Sequence, residues 1–412
     1  MRYLKHFVFA AAAAFYGLAL VLDRSANVFY TLLALAAVIG IACRYRPAAI
    51  TFVALVREYW MLSLAMAMPL LVVLMNQLAT GHFSGRDYDA QSRLALFAPV
   101  LWILLCLPFS WLKRLQWAIA GGALLALVKM YILSEGGTVR YGTDFIPIII
   151  CAHMGLLLGI FAVFSTGWNH AAEKPQVIFK IVALCAGLYM AYLSASRGVW
   201  ATIFVYAFIA TVMLKHVRRS YKVAAAAIFV AGVLIASQMG GVLKQRMEVV
   251  ATDLQQYAAG TDLDTSLGLR LQLWKGSWIL FKEHPVFGVG ITRYTQALEE
   301  LEQRKIITPF AATLPHSHNE MLFMMVRLGA LGALALLAVY FVPLAHFIRR
   351  CRDEDVEVRC AAAMGIALVS GFIVLGLVDV IFLWWECYPF YALGVAYCMA
   401  CIIKRRQELG QA

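Results

Sequence analysis

The most regular feature of the sequence is a series of apolar stretches, about twenty residues long, separated by short polar segments. Runs such as 145–164 and 360–378 are apolar on every side, unlike the alternating strands of a β-barrel, so they predict helices. A helix of roughly 20 apolar residues crosses the hydrocarbon core of a membrane. The pattern predicts twelve spans, at 7–22, 28–42, 60–78, 94–110, 115–133, 145–165, 177–194, 199–214, 223–240, 319–342, 360–378 and 388–403.

One polar segment, 241–317, is much longer than the others and separates the ninth span from the tenth. Apolar residues recur at helical spacing from Leu243 to Tyr257 and again from Tyr294 to Leu301, which predicts amphipathic helices. Glu300 and Arg304 have the spacing of an i,i+4 ion pair. The segment is therefore expected to form a helical cap at the membrane surface. Three parts are predicted: 1–240 with nine spans, 241–317 as the cap, and 318–412 with three spans and a cytoplasmic tail.

The composition supports an all-α polytopic membrane protein. Hydrophobic residues make up 63% of the chain and charged residues 14%, against about 45–50% and about 25% in soluble proteins. The net charge of +12 does not indicate nucleic-acid binding, because the lysines and arginines are spread over separate loops. They concentrate on the side of the two termini, which makes that side cytoplasmic. The same rule puts 241–317 outside, and we expect the membrane to be a bacterial inner membrane and the outer side to be the periplasm.

Two arginines stand out among the few polar groups expected at the outer membrane surface. Arg197 follows a small-residue break and precedes the eighth span, where unpaired backbone N–H groups add positive potential. Arg270 has leucines on both sides, and its guanidinium can bind phosphate oxygens in a bidentate manner. Both are candidates for a phosphate site. The alternatives are an arginine that snorkels to the interface at 197 and one that faces lipid headgroups at 270.

Polar residues cluster where the cap meets the tenth span: His316, His318, Asn319 and Glu320 lie within five positions. Histidine is the side chain best suited to proton transfer near neutral pH, since its imidazole ordinarily titrates near 6.5. The cluster therefore predicts acid–base chemistry, and activity is expected to fall on acidification through about pH 5–6.5. A metal site and a merely polar helix cap are the alternatives.

Other residues suggest two different functions, a metal-dependent enzyme and a transporter. Asp87 and Asp89, and likewise Asp262 and Asp264, are acidic pairs that could hold the divalent ion of a metal-dependent enzyme. A transporter would need charged residues along an inner cavity. The few candidates in or near spans lie mostly near span ends, which disfavours a transporter: Lys129, Arg327, Asp379 and Glu386.

Taken in order, four motifs resemble those of the O-antigen ligase and polymerase superfamily. They are Arg197-Gly198-x-Trp200, Arg270-x-x-x-Trp274, His284-Pro285-x-x-Gly288-x-Gly290 and His318-Asn319-x-x-Leu322. The resemblance covers about 180–330 by motif. Twelve spans and one large outer loop are most similar to the O-antigen ligase. O-antigen polymerases and protein O-glycosyltransferases share the motifs and differ in the acceptor.

The resemblance implies a metal-independent, inverting glycosyltransferase of the GT-C type that needs no cofactor. It would transfer a glycan from undecaprenyl pyrophosphate to lipid A-core oligosaccharide at the periplasmic face. His318 would be the general base, and Arg197 and Arg270 would stabilise the leaving pyrophosphate. The residues expected to bind or orient the substrates are His316, Asn319, Trp200, Trp274, Glu320 and Asp379. Lipid-linked donor, lipid acceptor and membrane lipid are the expected partners.

Overall fold

The computed structural model describes residues 2–47, 50–168, 174–213 and 241–411. These residues form helices and the loops between them, and none of them lies in a β-strand. The predicted ninth span, 223–240, falls outside the described residues.

The chain divides into two compact units. The first comprises residues up to 213 and from 334 onward. Its helices are α1 (Arg2–Leu18), α2 (Ser25–Ala42), α3 (Phe52–Glu58), α4 (Trp60–Thr80), α5 (Arg86–Ala95), α6 (Phe97–Leu104), α7 (Phe109–Leu133), α8 (Ile148–Phe164), α9 (Lys174–Ser194), α10 (Arg197–Met213), α16 (Val356–Gly376) and α17 (Cys387–Glu408). The second unit, described over 241–333, contains α11 (Gly241–Ala259), α12 (Ser266–Glu283), α13 (Tyr294–Gln303), α14 (Pro309–Ala312) and the beginning of α15 (Glu320–Arg350).

Eight helices of the described chain are long and apolar enough to cross a membrane, as expected of a multi-pass membrane protein. They correspond to eight of the twelve predicted spans: α2, α4, α7, α8 with the turn that follows it, α9, α15, α16 and α17. The predicted first and eighth spans are α1 and α10, helices of 17 residues each. Helices form in the segment 241–317 as predicted, and the apolar residues of α13 are buried.

The predicted span 94–110 is wrong as a single helix. The structure has α5 and α6 there, separated at Leu96, and the eight residues of α6 rise only about 12 Å. The physical reason lies in two prolines. Pro99 occupies the first turn of α6, where its missing N–H would have no partner anyway, and Pro108 has an extended backbone immediately before α7.

The core of the first unit is built around α17, which is buried over nearly its whole apolar length. It packs against α2, α5, α6, α7 and α16. A helix that is apolar on every side can be surrounded in this way, because no face requires water.

One end of the first unit is held by a buried ion network. The Glu357 carboxylate, 2% exposed, accepts from Lys113 Nζ at 2.6 Å and from Arg405 Nε at 2.9 Å. Arg405 also binds Asp355 at 2.7 Å, and Asp355 caps the start of α16 through the Val358 N–H. The network therefore ties α7, α16 and α17 together through charged side chains with fixed partners.

Candidate functional site

The predicted histidine cluster forms a short loop at the start of α15, which we call the histidine loop (316–319). Asn319 is the N-cap residue of the helix, since its Oδ1 accepts from the Leu322 N–H at 3.0 Å. Glu320, in the first turn, is 2% exposed and lies beneath the surface. Asn319 thus supports the loop through its side chain, while both histidines are half-buried.

His318 has an unusual backbone conformation within this loop. Its φ angle is 52°, in the left-handed region that is uncommon for a residue with a Cβ atom. The His318 N–H donates to His316 Nδ1 at 3.2 Å, and the two imidazole rings are 4.3 Å apart. Because Nδ1 of His316 accepts this bond, a neutral His316 carries its proton on Nε2. Strained conformations of this kind persist only where surrounding contacts fix them, and they are frequent at active sites.

Ser317 supplies the contacts that fix the loop. Its side chain is fully buried and donates to the Asn319 carbonyl at 2.8 Å. Its own carbonyl accepts from Trp274 Nε1 at 3.0 Å. Trp274 therefore holds the loop through its ring N–H. Arg270 lies one turn earlier on α12 and is half-buried, so it occupies the same face of the helix as Trp274.

Two polar residues hold α12 itself in place. Thr265 caps the helix by accepting from the Gly268 N–H at 3.1 Å. Gln272, 3% exposed, donates to the Leu263 carbonyl at 2.7 Å and accepts from the Thr308 N–H at 2.8 Å. The amide of Gln272 thus fastens the loop before α12 and the start of α14 to the helix that carries Arg270 and Trp274.

The His284–Gly290 motif forms a turn that enters the hydrogen-bond ladder of α15. In a continuous helix the Val326 carbonyl would accept from the Ala330 N–H. Here Ala330 donates to the Pro285 carbonyl at 2.8 Å, and the Val326 carbonyl accepts from Val289 at 2.8 Å. Gly329, at the break, has φ 64° and ψ −156°, which only glycine adopts readily. The turn therefore breaks α15 and replaces its lost backbone bonds.

The remaining predicted residues lie in the first unit, at the junction of α9 and α10. Ala195 has a φ of 47°, and Arg197 is the exposed first residue of α10. Trp200 Nε1 donates back across the break to the Ala191 carbonyl at 3.0 Å. Arg140 Nε donates to the Ser194 carbonyl at 2.8 Å, which brings a second exposed guanidinium group to this junction.

Close packing places Asp379 next to this junction. A Cβ atom on Gly198 would lie 2.6 Å from the Val378 side chain, so the start of α10 touches the segment that follows α16. Asp379, the next residue, accepts from the Val380 N–H at 2.8 Å. Glu386 ends the same segment and is 7% exposed, and burial raises the pKa of its carboxyl.

The predicted site residues thus form two groups, one in each unit. The second unit brings together His316, His318, Asn319, Glu320, Trp274 and Arg270; the first brings together Arg197, Trp200 and Asp379. Sequence reasoning missed Arg140, Ser317 and Gln272. Only Arg140 had a sequence signal, as a cation in an outer loop, because the roles of the others depend on contacts far apart in the chain.

The two acidic pairs bind protein groups. Asp87 accepts from Gln77 Nε2 at 3.1 Å, whereas Asp89 pairs with Arg93 at 3.0 Å. Positions i and i+2 of a helix face different directions, so these two carboxylates do not converge. Asp264 accepts from the Thr308 hydroxyl and from Gln272, which gives this pair a place in the loop around α12.

Comparison with known proteins finds similarity over the region that contains Arg197, Arg270 and the histidine loop. A family model described as O-antigen ligase matches residues 181–337. An uncharacterized protein of Haemophilus influenzae is 28% identical over 288 residues, which cover 68% of this chain and 71% of the relative.

Proposed function

We propose, from the match of an O-antigen ligase family model to residues 181–337, that the protein is a glycosyltransferase acting on lipid-linked glycans. It transfers a glycan from undecaprenyl pyrophosphate to lipid A-core oligosaccharide. The reaction takes place at the periplasmic face of the inner membrane, inverts the anomeric configuration and uses neither metal nor cofactor. The observation that carries this proposal is the histidine loop, in which Trp274 binds the Ser317 carbonyl next to the strained His318, one helical turn from Arg270.

The proposed reaction assigns the proton to His318. The acceptor hydroxyl attacks the anomeric carbon, a new C–O bond forms, and the bond from that carbon to the pyrophosphate oxygen breaks. An imidazole that accepts the hydroxyl proton during the attack makes the oxygen a better nucleophile. The hydrogen bond to His316 comes from the backbone N–H of His318, so this contact does not involve the His318 ring.

The arginines stabilise the charge that develops on the leaving undecaprenyl pyrophosphate. A fixed guanidinium lowers the barrier when it binds the departing phosphate more strongly than the bound donor. Arg270 has a constrained position on α12, and Arg197 adds its charge to the positive N-terminal end of α10. His316, Asn319, Trp200, Trp274, Glu320 and Asp379 orient the substrates or the catalytic groups.

O-antigen polymerase and protein O-oligosaccharyltransferase activities are the alternatives. They use the same donor chemistry and differ in the acceptor, which is a growing glycan or a protein. A lipid-linked oligosaccharide transporter is the alternative from a different class, and it would move the donor without cleaving it.

The test is a transfer assay with purified protein. The protein is incubated with an undecaprenyl-pyrophosphate-linked glycan and, separately, with lipid A-core, a second lipid-linked glycan or a protein acceptor. Modification of lipid A-core supports the ligase, and modification of another acceptor supports that alternative. An intact donor with every acceptor would contradict transferase activity.

Arginine variants test the assigned roles. Arg197→Ala and Arg270→Ala should each abolish transfer while the protein still folds, and lysine should rescue poorly because it lacks the bidentate fork. Arg293→Ala, which removes an exposed arginine of the second unit, is the matched control and should transfer normally. Wild-type transfer by a folded Arg197→Ala variant would refute the phosphate role.

A further inference from the structure

Three buried hydroxyl groups close to the histidine loop have no part in the proposed reaction. Tyr294, the first residue of α13, is 3% exposed, and Ser277 of α12 and Ser317 are fully buried. The Tyr294 hydroxyl lies beside both serine side chains. Within the described part of the chain, neither Tyr294 nor Ser277 makes a side-chain hydrogen bond of standard geometry. Buried hydroxyls without a bond are costly, so these three groups need one another.

The proton of Ser317 determines the direction in which such bonds can run. Ser317 Oγ already donates to the Asn319 carbonyl at 2.8 Å, so only its lone pairs remain to accept. Tyr294 must then donate to Ser317, and Ser277 can donate to Tyr294. Burial raises the pKa of Tyr294, so the phenol keeps the proton that it would donate.

The ring of Tyr294 is itself firmly placed. It packs edge-on against Phe323 at 4.8 Å, and the Arg327 guanidinium lies 4.6 Å from the same Phe323 ring. Arg327 Nε donates to the Ile291 carbonyl at 3.0 Å, in the turn that leads directly to Tyr294. These contacts leave the phenol little freedom to turn away from Ser317.

We propose that Ser277, Tyr294 and Ser317 form a directed chain of hydrogen bonds that ends on the Asn319 carbonyl and holds His318 in its left-handed conformation. Tyr294 is then a positioning residue for the transfer reaction. The argument rests on the proposed function, because it takes His318 as the group that acts on the acceptor. A strained residue needs surrounding contacts to fix it, and this chain supports the loop through the Ser317 side chain while Trp274 holds the Ser317 carbonyl.

The first experiment replaces the phenol with an isosteric ring. Tyr294→Phe should lower the single-turnover transfer rate at saturating donor by about 5–10-fold, the usual effect of one lost hydrogen bond on a barrier. Donor binding should stay within about twofold of the wild-type value. A variant that merely contained less folded protein would instead lose binding capacity and transfer together. Tyr206→Phe, another buried tyrosine, in α10, is the matched control and should transfer at the wild-type rate.

A double-mutant cycle tests whether the two supports act on the same loop. If Tyr294 and Trp274 both act through Ser317, the effects of Tyr294→Phe and Trp274→Phe on the transfer rate should not be additive. Ser277→Ala interrupts the chain one step earlier and should give a smaller loss of the same kind. A normal transfer rate in both Tyr294→Phe and Ser277→Ala, with His318→Ala inactive, would refute the hydrogen-bond chain and leave the proposed function standing. Normal transfer by His318→Ala would instead refute the proposed function.

Discussion

Three substitutions of His318 separate its imidazole from its backbone conformation. Glycine removes the side chain and accepts a φ of 52° without strain, asparagine tolerates the same conformation, and alanine keeps the strain while losing the ring. The His318 N–H bond to His316 is a backbone bond, so all three variants can retain it. The three variants therefore share the loss of the base and differ in the strain of the loop.

The expected magnitudes follow from this conformation. A left-handed residue with a Cβ atom costs about 1–2 kcal/mol, which His318→Gly removes. The greater freedom of glycine in the unfolded chain offsets about 0.5–1 kcal/mol of that gain. Folding stability should thus change by no more than about 1.5 kcal/mol, a small shift of melting temperature in a chain of this length. Transfer, by contrast, should fall by about 10²–10⁴-fold in all three variants.

The assay is single-turnover transfer from bound donor, with donor binding and thermal unfolding measured on the same preparations. Wild-type transfer should also slow as the pH falls through about 6.5 to 5, because a protonated imidazole has no lone pair to accept a proton. The residual rate of His318→Asn should lack this acid limb. A near-normal rate in His318→Gly or His318→Asn would show that the base lies elsewhere, with Glu320 or Asp379 next to be tested.

Three further perturbations have defined outcomes. Gly329→Ala would place a Cβ atom 2.3 Å from the Val286 carbonyl oxygen, so it should cost more than about 3 kcal/mol and lower the folded yield; a wild-type melting curve would contradict this. Glu357→Gln removes the negative charge that two cations share and should destabilise the protein by about 3–5 kcal/mol in thermal unfolding, whereas an unchanged midpoint would mean that the network contributes little. Transfer should survive EDTA and the double change Asp87→Asn with Asp89→Asn; loss on chelation, restored by magnesium or manganese, would favour a metal-dependent mechanism.

Eight of the twelve predicted spans are long apolar helices in the described part of the chain, because crossing a membrane needs only a long apolar run. The prediction failed at 94–110, where the apolar run is continuous but Pro99 and Pro108 divide the backbone. It also paired Arg304 with Glu300 on one helix face. Because α13 ends at Gln303, Arg304 instead binds Glu283 through two bonds of 2.7 and 3.0 Å, which holds the pKa of Glu283 below its ordinary value.

The sequence predicted the residue types of the candidate site but not the contacts that hold them in place. A histidine pair beside a helix start is visible in the sequence, and so is the N-capping potential of Asn319. The bond from Trp274 to Ser317 joins residues 43 positions apart, and the role of Tyr294 depends on contacts with two other segments. Neither spacing nor periodicity encodes such contacts, because they arise only when α12, α13 and the histidine loop pack together.

The exchange of backbone bonds at Gly329 has a consequence for how the protein is made. As α15 enters a membrane during synthesis, its carbonyls can be satisfied by the helix itself, since an unbroken helix leaves no backbone group unpaired in lipid. The break requires the Pro285–Val289 turn to replace bonds that the helix would otherwise make on its own. If α15 enters the membrane as an unbroken helix, docking of the turn must therefore exchange backbone bonds of the helix for bonds to the turn.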